Sequence, residues 1–341
     1  MQTKLKYALL SAALFCAFPT FAADTQDVTK LIGYTPGVEV ITLDIKRPQI
    51  DMISGIVYSQ IKSTRAVKQL RMTLEIPRTT AKKPAIIYFP GGGFTSSDHE
   101  KFSEMRRALA EAGFVVAATE YRTVPTMFPA LLHDAKAAVR FLRAHADEYG
   151  IDPNKIAVLG DSAGGYLAQM TAVTNGEKEW DKGDFLDVSS DVQAAVTIYG
   201  ISNLLNISEG LSQKAQDGHK SPAVSESLLL NGVAFANRPA ATIFDNPEKT
   251  LAASPITHID GTEPPFLIFH GAKDPGVSPI QSAKLYKALK DKKVDAQYVL
   301  VANAKHGDLV WYQDAFIKRV VDWFVKTLKP AKGEPAAGTT R

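Results

Sequence analysis

Cysteine is almost missing from this sequence. Cys16 is the only one in 341 residues, and it lies in an apolar stretch near the start. Beyond it no thiol is available for a disulfide, a thiolate metal site, a cysteine nucleophile or redox chemistry. An excess of one charge is also lacking. Thirty-nine Lys and Arg meet 36 Asp and Glu, and the net +3 is dispersed along the chain. That balance argues against a nucleic-acid partner. There are no internal repeats. The apolar run Tyr7–Phe18 is shorter than the roughly 20 residues that span a bilayer.

What is present begins with a leader pattern. Lys4 and Lys6 precede the apolar run, and Thr20-Phe21-Ala22 puts small residues before a cut at Ala23. Residues 1–22 therefore read as a signal peptide, which implies a periplasmic or secreted protein without a stable membrane anchor. Residues 23–329 read as one domain. The tail 330–341 is rich in Pro, Gly, Ala and Thr, and this composition predicts no packed structure there.

Between these ends, strand and helix patterns alternate. Val38–Leu43, Gly55–Val57 and Arg71–Ile76 read as antiparallel strands. Ala85–Phe89, Phe114–Thr119 and Lys155–Leu159 are continuous apolar runs, as strands covered on both faces should be. Ala194–Tyr199, Pro265–Phe269 and Gln297–Val301 add three more. Helical spacing occupies Lys101–Ala112, Pro129–Tyr149, the segment after Ser162, Pro279–Leu289 and Leu309–Leu328. The alternation predicts an α/β fold, with a mostly parallel central sheet flanked by helices. Residues 202–253 break the rhythm with a polar stretch holding several Gly, Asn and Ser. We read it as a cap-like insertion.

The strongest motif is Gly160-Asp161-Ser162-Ala163-Gly164, followed by Gly165. An apolar strand enters it and a helix leaves it, which is the context that gives G-x-S-x-G its meaning. Glycines two positions either side of a serine let the chain turn sharply and lift the hydroxyl clear of the sheet. The new helix aims its positive end at any developing oxyanion. Asp161 reads as a structural hydrogen-bond partner.

Pro90-Gly91-Gly92-Gly93-Phe94 follows strand Ala85–Phe89. A triple-glycine loop brings backbone N–H groups close to a reacting centre, and the expected oxyanion donors are the amides of Gly92, Gly93 and Ala163. No G-K-[ST] follows, which excludes a phosphate cradle.

A serine nucleophile needs a base, and the base needs an acid, in the chain order Ser, acid, His. Of the histidines after Ser162, His219 and His258 lie in or beside the insertion, and His270 ends a strand. His306 sits in a loop between a strand and a helix, and is the expected base. Asp274 lies just past strand Pro265–Phe269 and is the expected acid. Asp260 and Glu263 lie at the wrong end of that strand, and Asp308 is too near His306 in sequence.

With these residues in place, the region Ala85–Leu328 resembles the hormone-sensitive-lipase-like superfamily of α/β-hydrolases. It is especially similar to bacterial acetyl-xylan and feruloyl esterase-like hydrolases. The resemblance rests on Gly91–Gly93, Glu120-Tyr121-Arg122, Phe128-Pro129-Ala130, Asp134, Gly160–Gly165, Asp274 and His306. Pro90 replaces the family's usual His, which implies altered loop rigidity rather than lost chemistry. The resemblance implies a carboxylesterase-type serine hydrolase acting on short-chain acyl or carbohydrate esters, with no metal and no organic cofactor. A serine peptidase or amidase of the same fold, and a binding protein on a hydrolase scaffold, are the alternatives.

Overall fold

The computed structural model describes residues 27–331 and 333–335. The expected signal peptide lies outside them. The chain divides into two units, Met1–Ile45 and Lys46–Arg341. In the first, a 3-10 turn among the described residues, Val28–Lys30, is capped by the Asp27 carboxylate, which accepts from Thr29 N at 3.2 Å. The expected strand Val38–Leu43 does not form, and Val38, Val40, Ile41 and Leu43 stay exposed. Apolar alternation shows that a segment would suit a strand, but it does not supply a partner ladder.

The second unit is built on eight strands. They are β1 (Ile50–Lys62), β2 (Val67–Pro77), β3 (Lys83–Phe89), β4 (Val115–Thr119), β5 (Ile151–Asp161), β6 (Ala195–Ile198), β7 (Phe266–Gly271) and β8 (Ala296–Val301). They form one sheet in the order β1-β2-β4-β3-β5-β6-β7-β8. The β1–β2 and β2–β4 pairs are antiparallel, and β4 to β8 run parallel. This is the mostly parallel sheet that the sequence pattern predicts.

The helices are α1 (Ser103–Glu111), α2 (Ala130–Ala144), α3 (Ala146–Tyr149), α4 (Ala163–Val173), α5 (Gln213–Gly218), α6 (Ser225–Asn231), α7 (Pro247–Ala252), α8 (Ile280–Asp291) and α9 (Asp314–Leu328). Strand β3 shows why the sheet is covered on both sides. Ala85, Ile87 and Phe89 join the core that holds α2, α4 and α8, while Ile86 and Tyr88 join the core that holds α1 and α9. Each large side chain so buried contributes about 1.5–3 kcal/mol.

Two helices differ from their sequence patterns. The helix expected over 129–149 breaks at His145, whose φ of −101° and ψ of 22° separate α2 from α3. The helix expected from Leu309 begins at Asp314, after a 3-10 turn capped by Asp308. The tail is placed in part: Thr80 N donates to Glu334 O at 3.3 Å, and Thr79 bridges to Pro335.

The insertion carries α5, α6 and α7 and is bonded to the first turn of α8 and the segment before it. Gln281 Oε1 accepts from Ser202 N and Asn203 N at 2.9 and 2.7 Å, and Gln281 Nε2 donates to Asn206 O at 2.7 Å. Ser278 N donates to Ile207 O at 3.1 Å, and Ser278 Oγ donates to Glu209 O.

Candidate active site

Ser162 stands between the end of β5 and the start of α4, with φ 53° and ψ −118°. A positive φ in a residue with a Cβ costs about 1–3 kcal/mol and must be imposed by its surroundings. Here Ser162 N donates to Ile198 O on β6, and Ser162 O accepts from Tyr166 N, both at 2.9 Å. The flanking glycines are required by close approach. A Cβ on Gly160 would lie 2.1 Å from Gly164 O, and one on Gly164 would lie 1.9 Å from Phe89 O.

That last contact presses α4 against the end of β3, where the glycine loop begins. A Cβ on Gly91 would lie 3.0 Å from Ser162 Cβ, so loop and serine are in contact. Asp161 holds the loop. Its Oδ1 accepts from Gly91 N at 2.9 Å and from Tyr88 Oη at 2.7 Å, and its Oδ2 accepts from Lys101 Nζ at 3.3 Å. Lys101 also donates to Gly91 O at 3.1 Å, and Tyr121 Oη donates to Pro90 O at 2.6 Å. With Pro90 in place of a histidine, the loop is held by this buried acid and two neighbouring side chains.

The carbonyl of Gly92 accepts from Thr95 N at 3.0 Å and Ser96 N at 3.2 Å. The N–H groups of Gly92 and Gly93 have no acceptor among the described residues. Ala163 is the first residue of α4, where N–H groups have no partner within the helix and the helix dipole is positive.

Asp274 and His306 meet the serine from the loops after β7 and β8, beyond the intervening β6. His306 Nε2 lies 2.8 Å from Ser162 Oγ, and His306 Nδ1 lies 2.6 Å from Asp274 Oδ2. A carboxylate only accepts, so Nδ1 carries the proton and Nε2 accepts from the serine hydroxyl. Asp274 is buried. Its Oδ1 accepts from Gly276 N and Val277 N at 2.9 Å each. Burial alone would raise its pKa. Hydrogen bonds from His270 and His306 outweigh that effect and hold it well below the ordinary carboxylate range.

The rival acids are occupied elsewhere. Asp308 accepts from Lys305 N at 2.6 Å and Val310 N at 2.9 Å. Glu263 accepts from Asp260 N at 2.7 Å and Gly261 N at 3.0 Å. His219 joins Glu226 at 2.5 Å and Gly276 O at 3.2 Å, outside the serine's reach chain of His306 and Asp274.

Two residues at the site escaped the sequence reading. The ring of Tyr199, at the end of β6, lies 4.6 Å from that of His306 and 5.0 Å from that of Trp311. Trp311 Nε1 donates to Lys305 O at 2.8 Å, which holds the histidine's loop. The available signal was an aromatic residue at a strand's carboxyl end before Gly200. His270 is a third contributor. It is fully buried, with Nε2 3.0 Å from Val277 O and 3.3 Å from Asp274 Oδ2, and Nδ1 2.7 Å from Ser282 Oγ.

Residues 72–289 match the BD-FAE family model. The chain belongs to the BD-FAE family. Among curated relatives, the probable carboxylic ester hydrolase LipM of Mycobacterium tuberculosis is 32% identical over 207 residues, covering 60% of this chain and 44% of that protein. Esterase LipQ of the same organism is 30% identical over 229 residues, covering 66% and 50%. This BD-FAE chain thus spans about half the length of the curated relatives it matches.

Solved structures resemble it over most of its length. A truncated carbohydrate esterase from gut microbiota superposes with a TM-score of 0.70 at 24% identity, covering 83% of this chain and 100% of that one. A bifunctional GH43-CE protein of Bacteroides eggerthii gives 0.69 at 26%, covering 81% and 35%. Esterase 2 of Thermogutta terrifontis, with butyrate bound, gives 0.63 at 24%, covering 84% and 96%. The fold of this BD-FAE member is therefore that of the α/β-hydrolases.

Proposed function

We propose that this protein is a serine carboxylic ester hydrolase acting outside the cytoplasm on short-chain acyl or carbohydrate esters. The observation that carries the reading is the linked arrangement of Ser162 Oγ, His306 and buried Asp274 at 2.8 and 2.6 Å. Ser162 Oγ attacks the acyl carbon as His306 Nε2 takes its proton. Asp274 holds the imidazole in the tautomer that can do so, and it stabilises the imidazolium that results. The amides of Gly92, Gly93 and Ala163 receive the oxyanion. His306 passes the proton to the leaving alcohol, and water then releases the acid from Ser162. No step calls for a metal or an organic cofactor.

The relatives support an ester substrate, since LipM and LipQ are named as an ester hydrolase and an esterase. The carbohydrate preference is supported by structural neighbours named as a carbohydrate esterase and as an acetyl ester-xyloside bifunctional hydrolase. The leader pattern of residues 1–22 supports placement in the periplasm or medium. The decisive variant is Ser162→Ala, expected to lower turnover of p-nitrophenyl acetate by about 10³-fold or more. Turnover near that of the wild type would overturn the reading. Aminoacyl amides and acetylated xylan assayed beside it separate an esterase from an amidase.

A further inference from the structure

A second concave site lies away from the serine. It is a cavity of about 470 Å³ between β1 and the C-terminal end of α2. Pockets of a few hundred Å³ are the size that small ligands use. Neither Ser162, Asp274, His306 nor the glycine loop lines it.

Its floor is aromatic. Phe141 and His145 stack with centroids 4.2 Å apart, and Phe185 meets His145 edge-on at 5.1 Å. His145 and Phe185 are half-buried, so both keep ring surface open. His145 Nδ1 donates to Phe141 O at 2.8 Å, which leaves Nε2 as an acceptor. The rim is polar: the Ser59 hydroxyl, the Gln60 amide, the Lys62 ammonium and the Asp184 carboxylate. None of these four side chains has a hydrogen-bond partner among the described residues, and neither has His145 Nε2.

The site is also held in shape. The buried Arg140 guanidinium donates to Asp184 O at 3.1 Å, to Asp181 Oδ1 at 2.6 Å and to Lys182 O. Phe185 takes a φ of 55°, an unfavourable backbone for a bulky residue that its surroundings must enforce. This loop presents Phe185 to the cavity.

We infer that this cavity is a second carbohydrate-binding site that takes a neutral pyranose ring. A pyranose has an apolar C–H face that suits an aromatic floor, and a rim of hydroxyls that both donate and accept. The unpaired donors and acceptors match that mixed demand. Lys62 and Asp184 bring opposite charges, so the rim favours no net charge on its ligand. The inference rests on the carbohydrate-ester reading for the choice of sugar, and not for the shape or chemistry of the cavity. Its role is to hold a saccharide chain at a point separate from the ester being cleaved.

The test is calorimetric titration of the full wild-type chain with xylotetraose, which carries no ester. Phe185→Ala and Asp184→Asn are titrated in parallel, and all three proteins are assayed on p-nitrophenyl acetate. The expected result is saturable binding weakened at least fivefold in both variants, with ester turnover unchanged. Asp184→Asn removes only charge from an exposed side chain, so it keeps the test valid should Phe185→Ala misfold. Absent binding, or equal affinity in wild type and Asp184→Asn, would overturn the inference. The ester-hydrolase reading fails separately, through the Ser162→Ala assay.

Discussion

His270 and His306 converge on the same carboxylate oxygen of Asp274, at 3.3 and 2.6 Å. The other oxygen takes two backbone N–H groups, so the carboxylate is held from four directions. His270→Gln would take away one of these bonds while keeping a polar side chain. More of the carboxylate's charge then falls on His306. We expect kcat on p-nitrophenyl acetate to drop about tenfold to a hundredfold, in the range of general acid–base effects, with KM little changed. An unchanged kcat with lower thermal stability would show that His270 serves packing alone.

Asp161 joins the segment that carries Ser162 to the glycine loop through Gly91 N, Tyr88 and Lys101. Asp161→Ala leaves a buried amide and a buried phenol without an acceptor, at about 1–3 kcal/mol each. Unfolding by urea should show that loss. Ester turnover should fall further than stability does, because the loop's N–H groups lose their aim. Asp161→Asn, which keeps an acceptor oxygen, should do less harm to both.

Two glycines differ in why they are glycine. Gly164 would drive a Cβ to 1.9 Å from Phe89 O, whereas Gly93 has φ 57° and open space around it. Gly164→Ala must part α4 from β3, and we expect a loss above about 3 kcal/mol, among the large values for single substitutions. Gly93→Ala meets only backbone strain, at about 1 kcal/mol. Urea midpoints of the two variants compare them directly, and equal midpoints would contradict this account.

His219 tests the sign of a pH effect. Its bond to Glu226 raises its pKa above 6.5, against the opposing effect of burial. A raised folded pKa gives stability that is fully present below pH 6.5 and is lost as pH rises through the folded value. Wild type should therefore exceed His219→Gln in unfolding midpoint at pH 5.5, by a margin that shrinks towards pH 9. A margin that grew with pH would reverse the assignment.

Much of the site was legible because its chemistry demands particular residues at strand ends. Ser162 needs glycines where the chain crowds, and Gly160 and Gly164 stand there. Asp274 and His306 follow the order in which the parallel strands are laid down. Asp161 was recognisable as a structural partner because it flanks the serine without facing it. Other features depend on contacts that no local pattern encodes. Tyr199 meets His306 only because the sheet order sets β6 between β5, which carries Ser162, and the strands that precede Asp274 and His306. The missing strand at Val38–Leu43 has a strand's residues but no ladder to join. The break at His145 lies in that residue's own φ and ψ of −101° and 22°, which the spacing of apolar residues on either side does not report.

The insertion's bonds to the stretch after Asp274 limit how freely residues 202–253 can vary. Ser202, Asn203, Asn206, Ile207, Glu209 and His219 all bond the short stretch that follows Asp274. Exchanging this insertion would therefore disturb the seat of Asp274 before it disturbed Ser162. A chimaera of that kind should leave Ser162 in place while loosening the carboxylate that bonds His306. Residues 202–253 and the seat of Asp274 are thus mechanically coupled, so substitutions in this insertion should call for compensating change in the stretch after Asp274.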